Sequence, residues 1–239
     1  MKTSRIIFIS YFSVFTMILI GVMISGFAYN DMAKEEWRKH CEEVSKGHNN
    51  TKDRYSKNSK IEKLHSFSHV FVKEGCTIHI LQGDSAKLIY SNKESKKKVI
   101  PPNTEVKNDT LFIYQTKPNE VTVVAKELSS VSGNNCEVTL NHMDLAYCNL
   151  VFDNSKVGFM EKLNLKKVDL QLTNKCDAWG YFVSDEVNMN ISNSKFNGWK
   201  KMKIGSLNAV FRDSAKVFLH QAKRMKFDVD ESSDLRLDR

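Results

Sequence analysis

Proline and glycine are scarce: the 239 residues hold 3 Pro and 10 Gly, which excludes collagen, mucin and low-complexity chains. Cysteine is missing from the first forty residues, so a lipoprotein-style lipid at a leader boundary has no acceptor there. No Walker loop, Gly-x-Ser-x-Gly elbow or His-Glu-x-x-His helix occurs, and each of those chemistries needs its own spacing. Charge of one sign is not concentrated either. The 36 Lys+Arg and 28 Asp+Glu give +8 and a pI near 9.1, but the basic residues are too dispersed to specify an anionic partner, and nucleic acid is not expected. What remains, 41% hydrophobic and 27% charged residues, describes an ordinary globular chain of one or two domains.

A mean hydropathy of -0.41 hides an uneven distribution of apolar residues. Ile6 to Ala28 is an uncharged run of 23 residues, IIFISYFSVFTMILIGVMISGFA. About 20 apolar residues cross a hydrocarbon core of roughly 30 Å, so this run is long enough to span. Lys2 and Arg5 precede it and a mixed-sign flank follows, which orients the short basic end toward the cytoplasm. The alternative is a cleaved signal peptide, with Gly26 and Ala28 as the small residues before the cut, though the run exceeds the roughly 7 to 15 residues of such a leader. The expected organisation is a cytoplasmic tip (1–5), a transmembrane anchor (6–28), a juxtamembrane stalk (29–63) and an outward-facing domain (64–239). That places the chain in the inner membrane of a cell envelope with its C-terminal domain in the periplasm, or outside the cell if residues 1–28 are removed.

From Leu64 the apolar pattern changes to strict alternation, the signature of strands. Apolar triplets recur as Cys148/Leu150/Phe152, Val168/Leu170/Leu172, Val187/Met189/Ile191, Leu207/Ala209/Phe211 and Met225/Phe227/Val229, and their last members advance by 20, 19, 20 and 18 residues. A second track fills the gaps: Val138/Leu140, Val157/Phe159, Trp179/Tyr181, Phe196, Val217/Leu219 and Leu235/Leu237. Turn triplets separate the tracks, including Asp153-Asn154-Ser155, Thr173-Asn174-Lys175, Ser192-Asn193-Ser194 and Arg212-Asp213-Ser214. Two strands per coil, repeated, predict an all-β fold: a β-solenoid whose equivalent residues stack in ladders roughly 4.8 Å apart. A β-sandwich also spaces short strands this way, but does not require a triplet frame to persist through successive units. Asp234, Arg236 and Asp238 interleave with Leu235 and Leu237, and such charged edges are expected to keep the solenoid monomeric.

The stretch Phe67-Ser-His-Val-Phe-Val-Lys-Glu-Gly-Cys-Thr-Ile-His-Ile-Leu-Gln-Gly83, with Asp109-Thr-Leu-Phe-Ile113 and Leu128-Ser-Ser-Val-Ser-Gly133, resembles the head GIN domain (DUF2807) of autotransporter-adhesin-like envelope proteins of Bacteroidota. The resemblance covers Leu64 to Arg239 and implies a right-handed parallel β-helix. It carries no catalytic residues, and its motifs specify fold better than function. The chain departs from that family in being rich in Asn and Lys and short of Gly, with Ser132-Gly133 as its clear small-residue turn.

Five cysteines (41, 76, 136, 148, 176) stand in a compartment that can be oxidising. Cys76 and Cys148 take inward positions and read as small buried hydrophobes. Cys136 and Cys176 fall two coils apart, roughly 9 to 10 Å, beyond the Cα separation a disulfide accepts. Cys41, on the stalk, is the one placed for an intermolecular bridge. His65 and His69 lie four apart at the start of a strand region without a further ligand cluster, so no metal or other cofactor is expected. Asn49-Asn50-Thr51 fits a glycosylation sequon, and Lys93-Glu-Ser-Lys-Lys-Lys98 reads as a solvated hairpin loop. The candidate binding surface is the outward face between the triplets. Asn149, Asp169, Asn188, Asn208 and Lys226 form one row there, and Val151, Gln171, Asn190, Val210 and Asp228 a second. The expected function is non-catalytic binding, adhesion or support, with a glycan or an envelope protein as partner. A carbohydrate-active enzyme would need convergent carboxylates in a walled cleft, and Asp169 and Asp228 fall three coils and one row apart.

Overall fold

The computed structural model describes residues 59–92, 99–116, 119–220 and 222–238. The expected anchor, most of the stalk with Cys41 and the sequon, and the Lys93 to Lys98 loop lie outside the described residues. Every described element is a strand. The first half contains β1 (Ser59–Lys63), β2 (His69–Val72), β3 (Thr77–Gln82), β4 (Lys87–Asn92), β5 (Asn103–Lys107), β6 (Thr110–Gln115), β7 (Asn119–Ala125), β8 (Ser130–Asn134) and β9 (Glu137–Asn141). The second half alternates long and short strands. The long ones are β10 (Met143–Asp153), β12 (Leu163–Thr173), β14 (Val183–Ser192), β16 (Lys203–Arg212) and β18 (Ala222–Val229). The short ones are β11 (Lys156–Phe159), β13 (Asp177–Gly180), β15 (Lys195–Gly198), β17 (Lys216–Leu219) and β19 (Asp234–Leu237).

These strands build a β-solenoid of about five turns from two sheets. A broad nine-stranded sheet runs β18-β16-β14-β12-β10-β8-β2-β6-β5, and a narrow ten-stranded sheet runs β1-β4-β7-β3-β9-β11-β13-β15-β17-β19. The apolar triplets pair in parallel register: Cys148 with Val168, Val187, Leu207 and Met225, and Phe152 with Leu172, Ile191, Phe211 and Val229. Phe152, Leu172, Ile191 and Phe211 are fully buried between the sheets. Each such side chain stabilises the coil by about 1.5–3 kcal/mol relative to exposure. In β18, which has a neighbour on one side only among the described residues, Met225 is 45% and Val229 37% exposed.

The corners explain how the coils turn with so little glycine. Asn154, Asn174, Asn193 and Asp213, the central residues of the turn triplets, take φ of 44°, 55°, 47° and 57°. Asn and Asp enter this left-handed region more readily than other residues with a Cβ. The buried residue after each corner ties its coil to the next. The Cys136 amide donates to Ser155 Oγ at 3.1 Å, the Ser155 amide to Cys176 Sγ at 3.3 Å, and the Cys176 amide to Ser194 Oγ at 3.0 Å. Ser155 therefore stands between Cys136 and Cys176, two coils apart as expected. Burial pushes the Cys136 thiol up to about 11, against the opposing Ser155 hydrogen bond, and the Cys148 thiol up to about 12.

One expectation is corrected. In the second track the inward residues are Ala178 and Gly180, not Trp179 and Tyr181: Val157 pairs with Ala178 and Phe159 with Gly180. Gly180 has φ 120°, and a Cβ there would lie 1.8 Å from the Phe159 carbonyl oxygen. The buried Phe182 ring packs 5.4 Å from Phe159, while Trp179 turns outward and Tyr181, half-buried beyond the end of β13, packs against the margin of the core. Chain order and coil order part company before β8, because β2 lies between β6 and β8, and β3 between β7 and β9. Antiparallel strands complete that end: β4 pairs with β1 and β7, and β5 with β6. Residues 59–63, read as the end of the stalk, form β1 on the edge of the narrow sheet.

Candidate functional site

Successive residues of a strand face opposite sides of a sheet, so the residues between the buried triplets point away from the interior. The parallel register sets Asn149, Asp169, Asn188, Asn208 and Lys226 side by side. Val151, Gln171, Asn190, Val210 and Asp228 form the neighbouring row. The seven residues singled out as a binding face, Asn149, Asp169, Gln171, Asn188, Asn190, Asn208 and Asp228, all line one open groove of about 670 Å³.

Coil spacing lets planar side chains bond from strand to strand. Asn188 Nδ2 donates to Asp169 Oδ1 at 2.7 Å, and Asn208 Nδ2 donates to Asn188 Oδ1 at 3.3 Å. The Tyr147 hydroxyl donates to Asp169 Oδ2 at 2.7 Å. Burial alone would raise the Asp169 carboxyl, but the bonds from Asn188 and Tyr147 and the Lys167 charge outweigh it and hold the group below its ordinary value. The bond to Asp169, with some burial, raises the Tyr147 phenol. Two ion pairs flank the amide rows. Lys167 Nζ lies 2.9 Å from Glu186 Oε1, and Arg212 bridges the Asp228 carboxylate while donating to the Asp228 backbone oxygen at 2.9 Å.

This arrangement is suited to hydrogen bonding rather than to proton transfer. Asp169 on β12 and Asp228 on β18 are three strands apart in the broad sheet. That is roughly 14 Å along the stack, whereas paired glycosidase carboxylates stand within about 9.5 Å. His69 Nδ1 lies 2.6 Å from Ser130 Oγ, and His65 is exposed.

The sequence reading did not single out Tyr147, which is 41% exposed and stands just outside the groove lining, bonded to Asp169 within it. Its signal was the alternation of the Cys148/Leu150/Phe152 frame, which makes Tyr147 an outward residue two places before Asn149; the phase shifts just before it, where Leu145 is buried and both Ala146 and Tyr147 are exposed. Across β8 the face flattens to Ser130 and Ser132, in register with Asn149 and Val151. Beyond them stand Phe71 and Phe112, with ring centroids 5.9 Å apart.

Solved structures share this architecture. A candidate adhesin from Bacteroides fragilis is similar with a TM-score of 0.54 at 12% identity, over 76% of this chain and 98% of that one. A candidate adhesin from Parabacteroides distasonis is similar with a TM-score of 0.50 at 14% identity, over 75% of this chain and 92% of that one. At these identities the likeness is one of fold. No family model matches the chain, and no curated protein matches it.

Proposed function

We propose that the protein is a non-catalytic binding module of the cell envelope, and that the groove on the outward face of the broad sheet is its binding surface. Residues 6–28 hold it in the inner membrane, and the solenoid stands in the periplasm as a monomer. The same reading assigns it to the head GIN (DUF2807) group with a right-handed coil. One observation carries the proposal: seven register-aligned Asn, Asp and Gln side chains, spread over β10, β12, β14, β16 and β18, open into a single groove. Adhesin-like neighbours of the same fold support binding over catalysis. So does the separation of Asp169 from Asp228.

The test is retention of labelled envelope fragments by the full-length chain immobilised in a sugar-free detergent. Asn190 is exposed on the groove, so Asn190→Arg should leave folding intact and reduce retention at least about tenfold by steric and charge exclusion. Equal retention by the variant would overturn the assignment of the binding surface.

A further inference from the structure

We infer that the groove takes a neutral, hydroxyl-rich oligosaccharide lying across the coils with one sugar ring against Tyr147. This rests on the groove being the binding surface, and it adds the ligand class.

The functional groups argue first. Gln171, Asn188, Asn190 and Asn208 each carry an amide with both donor and acceptor, and they line the groove on consecutive strands. A hydroxyl also donates and accepts, so a sugar bearing several of them can satisfy these amides together. Charge argues second. Asp169 accepts hydrogen bonds from Tyr147 and Asn188, Lys167 pairs with Glu186, and Arg212 pairs with Asp228. Lys226, exposed at the β18 end, is the remaining groove-lining charge, so over β10 to β16 the face is polar without a strong field of either sign, which favours a neutral ligand over a phosphate or a polyanion there.

The aromatic ring argues third. Its hydroxyl bond to Asp169 orients Tyr147, while the residue stays 41% exposed two places from Asn149 on the same face. An aromatic ring offers an apolar plane with a polar tip, and the C–H face of a pyranose packs on such a plane. The rise per coil, roughly 4.8 Å, is close to the length of one pyranose ring, so consecutive sugars meet consecutive coils. The smooth step at Ser130 and Ser132 leads on toward Phe71 and Phe112, a second aromatic surface for a longer chain.

A polypeptide occupant fits less well. β10, β12, β14 and β16 are each paired on both sides, so the groove has no free edge on which a strand could be added. Protein interface cores also favour desolvated aromatic, Met and Arg anchors over rows of amides.

The experiment titrates the full-length chain, in sugar-free detergent, with cellohexaose, mannohexaose and chitohexaose by calorimetry. At least one should bind. Tyr147→Ala should then weaken it about fivefold to tenfold, and Gln171→Ala with Asn190→Ala by a similar factor, while Tyr147→Phe keeps most of the affinity. Gln171 and Asn190 are exposed, so their replacement does not threaten the fold. Hexasaccharide binding that is indifferent to all these variants would overturn the placement. No binding to any of the three, with Asn190→Arg still abolishing envelope retention, would overturn the carbohydrate class and leave the binding surface standing. Retention destroyed by protease treatment of the fragments, and not by glycosidases, would likewise overturn it in favour of a protein partner.

Discussion

The same coils present two outward faces, and the two are built differently. On the broad sheet β10 and β12 have 11 residues and β14 and β16 have 10, while on the narrow sheet β11, β13, β15 and β17 have 4 each. At about 3.3 Å per residue the broad face is roughly 33 Å wide and the narrow face roughly 13 Å. Width gives the broad sheet room for several parallel rows and a groove. The narrow sheet carries instead one row of charges, Glu137, Lys156, Asp177, Lys195, Lys216 and Asp234. Opposite signs stand side by side except at Lys195 and Lys216, and such a mixed row suits a solvated surface, because most neighbouring charges offset one another. Amide rows with bonded carboxylates suit a ligand. One interior thus carries two outward faces that differ in strand length and in side-chain chemistry.

The interior common to both faces gives the largest expected effect. Phe211 is fully buried in the triplet ladder, so Phe211→Ala should cost about 3 to 5 kcal/mol in denaturant unfolding through lost burial and a cavity. Next comes the narrow sheet's special backbone position. Gly180→Ala places a Cβ against the Phe159 carbonyl at φ 120° and should cost about 2 to 4 kcal/mol by the same measurement. Outward residues should matter little on either face: Asn208→Ala and Asn197→Ala should each change stability by less than about 0.5 kcal/mol. A large loss at Asn208 would mean that the amide row is a structural strut rather than a surface awaiting a ligand.

The smallest effect is in acid. Hydrogen bonds from the Ser233 side chain, the Asp213 amide and Ser232 lower the Asp230 carboxyl at the broad-sheet corner from 3.8 to about 2. A carboxyl depressed in the folded state contributes stability above its unfolded pKa and loses it as pH falls toward the folded value. Asp230→Asn should therefore flatten the fall in urea midpoint between about pH 3.8 and about 2, and leave its neutral-pH slope unchanged. An unaltered acid limb would contradict the corner bonds.

Much of this molecule is readable without coordinates because one apolar frame repeats. Cys148/Leu150/Phe152 and its four successors pair in the register their spacing implies, and the turn triplets supply the left-handed corners. Alternation then places Asn188 and Asn208 outward without further information. Where the frame breaks, the sequence misleads. The bulky Trp179 and Tyr181 mimic an inward pair, but the interior there is filled by Phe182 reaching in over Gly180. Before β8 nothing in local composition encodes that β6 and β7 stack on the outer side of β2 and β3, because strand order depends on crossovers rather than on periodicity. Tyr147 was hidden for a third reason: its role comes from the carboxylate one coil away, Asp169.

The central claim is that one outward face binds and the other does not, and the direct measurement is envelope retention by two variants with the same chemical change. Asn190→Arg alters the groove, and Asn197→Arg alters an exposed position on the narrow sheet. The account predicts at least about a tenfold loss for Asn190→Arg and wild-type retention for Asn197→Arg. Equal effects of the two, or loss confined to Asn197→Arg, would contradict it.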